Sequence, residues 1–182
     1  MMAGRAGERV FIVNSQIPSI LVGTANRKVC VRVEGRGSFL NSPGLKDFAR
    51  EMTNRGYREF ELDLKACPVM DSTFMGTMAG IALRLREIGQ GQLKVTNLNE
   101  RNRDLLANLG LDQLFTIEEH SAAEATAAEI AQQPLETQPA NKVERAQTMI
   151  EAHEACIEAN PANAAKFKDV LEYLRQDLNV AR

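Results

Sequence analysis

The sequence predicts a two-layer α/β domain, a mixed sheet with helices on one face, followed by a C-terminal helical hairpin. Three observations predict it. A β-hairpin signal comes first, and helix and strand patterns then alternate, an order that builds a mixed sheet with right-handed parallel crossovers. The strands alternate apolar with charged residues, whereas a sheet covered on both faces has near-continuous apolar strands. Beyond Pro134 two short apolar seams recur at helical spacing.

The elements follow in order. Residues 1–9 read as a frayed start and 10–13 as a first short strand. Residues 20–24 form a better strand, Ala25-Asn26-Arg27 a tight turn, and 29–34 its partner, with Val29, Val31 and Val33 on one side. Asn41-Ser42-Pro43 opens a helix, a capping residue followed by proline in the first turn. Leu45, Phe48, Ala49 and Met52 form its apolar stripe, and Gly56 stops it. Phe60, Leu62 and Leu64 alternate with Glu59, Glu61 and Asp63. A strongly apolar helix spans 73–88, ended by Gly89-Gln90-Gly91. Leu93 and Val95 mark another strand. Asn99 caps a helix that turns Leu105, Leu106 and Leu109 inward and ends at Gly110, and 114–117 is a last short strand.

Composition changes after residue 118. Ser121 to Glu124 is a capping-box pattern opening an Ala-rich helix to about 131. Residues 132–141, with Pro134 and Pro139, read as a linker, which divides the chain into a domain over 1–131 and an extension over 142–182. In the extension, Asn141 with Glu144 opens a helix whose seam is Val143, Ala146, Ile150, His153 and Ile157. Asn160-Pro161 ends it, and Phe167, Leu171, Leu174 and Leu178 continue a second seam. Each seam lasts about two heptads, too short for a coiled coil. The two helices need each other and one more surface: the main domain or a second copy in a homodimer.

Whole-chain properties narrow the function. With 22 basic and 24 acidic residues among 182, the net charge of −2 gives no basic face for nucleic acid. Three widely spaced cysteines, Cys30, Cys67 and Cys156, argue for a reducing compartment. The two histidines, His120 and His153, stand at no metal-ligand spacing from them. No stretch reaches transmembrane length and no secretory pattern opens the chain, so a cytoplasmic protein without membrane insertion is expected. Cys67-Pro68 has no neighbouring histidine to activate a thiolate. Gly35-x-Gly37 lacks the Lys and Ser/Thr of a phosphate loop, and Gly76 and Gly80 lie inside a helix, where they allow close packing. His153 reads as a packing or interface residue, and Met70, Met75 and Met78 as core. No paired carboxylates, nucleophile–base pair, metal set or cofactor loop emerges: the chain reads as a binding module, not an enzyme.

One stretch stands out. Asp71-Ser72-Thr73 lies between the strand at 59–64 and the apolar helix. Such residues cap helices because their oxygens accept from free backbone N–H groups. A hydroxyl there can also carry a phosphate, whose charge of about −1.5 to −2 the helix N-terminus tolerates. Both readings can hold together.

The pattern Phe-Glu-Leu-Asp-Leu at 60–64, six residues, then Asp71-Ser72-Thr73 with Gly76 three positions on, resembles the STAS domain of bacterial anti-sigma factor antagonists and sulfate transporter tails. Residues 35–45 and the Leu-Gly-Leu ending within 93–114 are similar to the family as well, and the likeness runs from about 20 to 130. The resemblance implies a small mixed sheet with helices on one side. It also implies a serine-kinase anti-sigma factor as partner, which phosphorylates Ser72 and is thereby released, and a phosphatase that resets the switch. Thr73 is the second candidate acceptor, and Asp71, Ser72, Thr73, Phe74 and Met75 form the partner-binding stretch. Where the family usually has Ser-Gly-Leu-Gly, this chain has Thr73-Phe74-Met75-Gly76. Phe74 then implies a changed partner, or docking tightened through an exposed aromatic. The alternative function is a constitutive adaptor whose C-terminal helices mediate oligomerisation or docking.

Overall fold

The computed structural model describes residues 19–119, 130–131, 133–136 and 138–180. The strand expected at 10–13 and all but the end of the helix expected at 121–131 lie outside them. Strands β1 (Ser19–Ala25) and β2 (Lys28–Glu34) form the expected hairpin, and Asn26 and Arg27 both take positive φ at the turn. Two left-handed residues in a two-residue loop match the twist of antiparallel strands. Then come α1 (Ser42–Asn54), β3 (Glu59–Asp63), α2 (Ser72–Glu87), β4 (Gln92–Thr96), α3 (Glu100–Asn108), β5 (Thr116–Glu118), β6 (Gln133–Pro134), α4 (Lys142–Ala159) and α5 (Asn163–Val180).

The sheet order is β5-β4-β3-β2-β1-β6. Strands β2 to β5 run parallel, and β1 is antiparallel to both neighbours. Register places Val29, Phe60 and Leu93 in one row and Val31, Leu62 and Val95 in the next. All six are buried in one core with Leu45 and Met52 of α1, Met78 and Leu85 of α2, and Leu106 of α3. The apolar positions of the alternation are thus the rows that face this core.

The opposite face is less wet than its charges predict. Lys28 pairs with Glu61 at 3.1 Å and Lys94 with Glu118 at 2.9 Å. Asp63 is buried, with one oxygen accepting from Lys65 N–H and Asn97 Nδ2. Residues 130–131 lie across β1 and β2 on this face, where Ala131 covers Cys30 and the Ile130 carbonyl fills the space a side chain at Gly23 would need. Charges there are tolerated because they are paired or hydrogen-bonded.

Several local expectations shift. Asn41 precedes α1, but its side chain does not cap it: Oδ1 accepts from Ser38 N–H and Nδ2 donates to Arg36 O, tying the preceding loop together. The strand expected at 114–117 begins two residues later, because Leu114 and Phe115 turn into the core. The stretch read as a linker contributes β6, which pairs with Leu21 and Val22. Asn99 caps α3 as expected, and Gly110 is left-handed where Leu111 N–H closes back on Leu106 O.

The C-terminal hairpin forms a third layer. Asn141 and Glu144 make the expected capping box of α4. Ala146, Ile150, His153 and Cys156 of α4 and Phe167, Leu171 and Leu174 of α5 are buried, and all but His153 belong to the same apolar cluster as the sheet. Val143, expected on the seam, is 46% exposed. The surface that completes the hairpin is α2, which is buried without a break from Thr73 to Ala79, sheet on one side and α4 on the other. This stretch of α2 thus has no wet face, and the helix reaches water in its second half, through Arg84, Arg86 and Glu87.

Candidate functional site

The site begins where β3 ends. Residues 35–37 run beside the β3–α2 loop: Gly35 N–H donates to Ala66 O, Gly37 N–H to Val69 O, and Asp71 N–H to Gly37 O. From the other side α3 holds the same loop. Asn102, fully buried, accepts from Met70 N–H at 3.2 Å and donates Nδ2 to Cys67 O at 2.9 Å. Asn99 Nδ2 donates to Cys67 O and Pro68 O. Asn99 was legible as a cap. Asn102 carried no signal beyond being a polar residue in a first helical turn.

Asp71 is the N-cap of α2. Its Oδ1 accepts from Phe74 N–H and its Oδ2 from Phe39 N–H, both at 2.9 Å. One carboxylate thus satisfies an orphan donor of the helix and fixes the loop after β2. Ser72 is the first helical residue and is half-buried. Thr73, the second candidate acceptor, is buried, as are Phe74 and Met75.

Phe74 does not offer an aromatic to a partner. It is 0% exposed, and its ring lies over Gly37, where an added Cβ would fall 2.7 Å from Cδ1. The exposed apolar pair beside Asp71 is instead Phe39 and Leu40, at 41% and 63%. Two apolar residues in a loop of Gly, Ser and Asn were the sequence signal for them. Ser38 and Asn41 hold that loop in shape through Ser42 Oγ to Ser38 O and the Asn41 contacts above.

The hydroxyl of Ser72 has a partner 81 positions away: His153 Nε2 at 3.1 Å. His153 is buried, and its Nδ1 lies 2.7 Å from Met149 O. A carbonyl only accepts, so Nδ1 carries the hydrogen, and neutral Nε2 accepts from Ser72 O–H. The imidazole is tilted against the Phe167 ring at 4.6 Å. Burial lowers the pKa of His153 below its ordinary 6.5, opposed by the Met149 hydrogen bond and the charge of Asp71. The unfolded chain therefore binds the extra proton first as pH drops below 6.5, so stability falls from there and levels off below the folded value. The contribution of His153 is a loss of up to about 1.4 kcal/mol between pH 7.5 and pH 5.5. Urea unfolding at both pH values, in wild type and His153→Gln, checks it: a pH difference that persists undiminished in the variant rules this source out.

Among the described residues no group of His, Cys, Asp and Glu is arranged to hold a metal, and no helix is long and apolar enough to cross a membrane. All three cysteines are buried as free thiols. Burial pushes Cys30 up to about 11 and Cys156 up to about 12 and also raises Cys67, so none is a ready thiolate.

The family model of the STAS domain matches residues 18–124, more than half of the 182. The crystal structure of TM1081 from Thermotoga maritima, a protein described as an anti-sigma factor antagonist, is similar at a TM-score of 0.52 and 18% identity, over 57% of this chain and 88% of that one. An NMR structure of TM1081 is similar at 0.50 and 17%, over 65% and 90%. The anti-sigma factor antagonist SpoIIAA in its unphosphorylated form gives 0.49 and 16%, over 57% and 90%. No curated protein sequence matches the chain. The TM1081 structures share the fold, and with the family model covering β1 to β5, α1 to α3 and the Asp71–Ser72 helix start, the chain belongs to the STAS domain family.

Proposed function

We propose that the chain is a regulatory binding module of the anti-sigma factor antagonist kind, working in a bacterial cytoplasm without catalysis of its own. It binds a serine-kinase anti-sigma factor through the start of α2 and is released when that kinase phosphorylates Ser72; a phosphatase restores it. One observation carries the reading. Ser72 follows the capping Asp71 at the first position of α2, beside the exposed pair Phe39 and Leu40. A short apolar knuckle next to a modifiable hydroxyl suits a partner that must bind and then let go. A phosphate at a helix N-terminus is favoured by the helix dipole, so the fold survives while the docking surface turns negative. In this reading 1–131 is the switching domain, 132–141 its connection and 142–182 a cover.

The test is incubation of the full chain with ATP and the candidate kinase, with the modified residue mapped by mass spectrometry. Phosphate on Ser72 is expected, and Ser72→Asp is expected to weaken kinase binding at least tenfold. Modification confined to other residues, or undiminished binding by Ser72→Asp, sinks the reading. The engagement of Ser72 by His153 is the observation that favours a constitutive adaptor, in which Ser72→Asp leaves the partner in place.

A further inference from the structure

We infer that the Ser72-bearing face of α2 is a helix-docking surface that α4 occupies within the chain, and that the partner takes it by displacing α4 with a helix carrying a small residue at the same crossing. The partner clause rests on the proposed function; the occupancy clause does not. Three features carry it. The first is the shape of α2. At Gly76 the two helix backbones come so close that a Cβ would overlap the Ala152 carbonyl and lie 2.9 Å from Ala152 Cβ; at Gly80 it would sit 3.7 Å from Ala155 Cβ. Glycine at these positions opens a groove one helix deep, and alanines of α4 fill it. The second is the lock on the hydroxyl: Ser72 O–H donates into His153 of the occupying helix, so its proton is directed at α4. The third is where else the hairpin is held. Apart from its apolar faces it is tied by Lys46 to Glu151 at 2.9 Å, by Asn163 Nδ2 to Leu109 O at 2.8 Å and by Lys166 Nζ to Asn108 O at 2.5 Å. These are a few polar contacts, one at the middle of α4 and the others where α4 turns into α5. The α2 crossing is the extended one, and it coincides with the partner surface.

The chain carries its own reporter. Cys156 lies on α4, buried while the hairpin is docked, and Cys67 is buried in the β3–α2 loop, held from the α3 side. If α4 leaves while the sheet stays folded, Cys156 becomes reactive and Cys67 does not. Full-length protein is treated with N-ethylmaleimide, and both sites are followed by mass spectrometry. Cys156 is expected to react at least tenfold faster than Cys67. His153→Ala, which removes the lock, and Gly76→Ala, which fills the crossing, should each speed Cys156 further with little change at Cys67. Cys156 and Cys67 reacting together in all three proteins overturns the occupancy clause, since α4 then leaves only with the whole fold.

The partner clause has its own arm. Gly80 and Ala155 present Cβ positions 3.7 Å apart, within the span of a disulfide. The chain with Gly80→Cys, Ala155→Cys and Cys156→Ser should, when oxidised, lose Ser72 phosphorylation and kinase binding at least tenfold and regain both on reduction. His153→Ala should bind the kinase more tightly than wild type, whereas Gly76→Ala, with α4 released but the crossing filled, should not. Full activity of the oxidised protein, or equal gains in both single variants, overturns the clause. Absence of kinase binding in every protein, with Cys156 still fast, fails the proposed function and leaves the occupied groove standing.

Discussion

Phe74→Ala is expected to destabilise the chain by about 3–5 kcal/mol, the usual cost of emptying a buried aromatic site. The ring has no exposed surface and lies against the backbone of Gly37, where the missing Cβ makes room for it. Two segments lose their common floor when it goes: residues 35–41, with Phe39 and Leu40, and the first turn of α2. Against a typical domain stability of about 5–15 kcal/mol, this is a large fraction. Urea unfolding at 25 °C measures it directly. Phe74→Leu, which keeps much of the volume, should cost clearly less. The prediction separates two roles. An aromatic that docks a partner from the surface can be removed with little loss of stability, so a change below about 0.5 kcal/mol, the range of ordinary surface substitutions, would return Phe74 to that role.

The position of Phe74 also shows what the sequence carries and what it does not. Period-two alternation in β2, β3 and β4 identified the buried rows, because each side chain of a strand faces opposite its neighbour. Capping chemistry at Asp71, Asn99 and Asn141 identified three helix starts, each confirmed by a side chain accepting from a backbone N–H. Burial on the outer side of α2 was legible in principle, since residues 73–79 carry no charge, and of their two threonines Thr77 donates its hydroxyl to Thr73 O within the helix. That pattern demands a second cover, and the apolar seams of α4 and α5 demand a surface. The two needs answer each other in the structure. The Ser72–His153 contact was not legible, because pairing across 81 positions depends on how α4 crosses α2, which no local pattern encodes. Nor was β6, a two-residue edge pairing in a stretch whose prolines speak for a linker. Asn41 failed as a cap because its side chain finds better partners in Ser38 and Arg36 of its own loop.

Asn102→Ala is expected to cost about 2–4 kcal/mol, because it strips a buried loop of two hydrogen bonds and leaves a buried donor without an acceptor. Met70 N–H has Asn102 Oδ1 as its partner at 3.2 Å. Cys67 O keeps Asn99 Nδ2 at 3.1 Å but loses Asn102 Nδ2 at 2.9 Å. The loop concerned is the one that delivers Asp71 and Ser72 to the start of α2, so the cost falls on the geometry of the site as well as on the fold. Asn102→Asp distinguishes this clasp from simple packing. One carboxylate oxygen can still accept from Met70 N–H, but the other meets Cys67 O with no hydrogen between them. The buried carboxyl is then favoured in its protonated form, with a folded pKa raised above the unfolded one. The folded state binds the extra proton, so stability of this variant rises as pH falls from 7 toward 5, where the protonated carboxyl can donate to Cys67 O as the amide does. Unfolding of Asn102→Ala and Asn102→Asp at pH 7 and pH 5 reads it out: the Asp variant should recover relative to the Ala variant at the lower pH. Parallel losses at both pH values would mean that Asn102 only fills space.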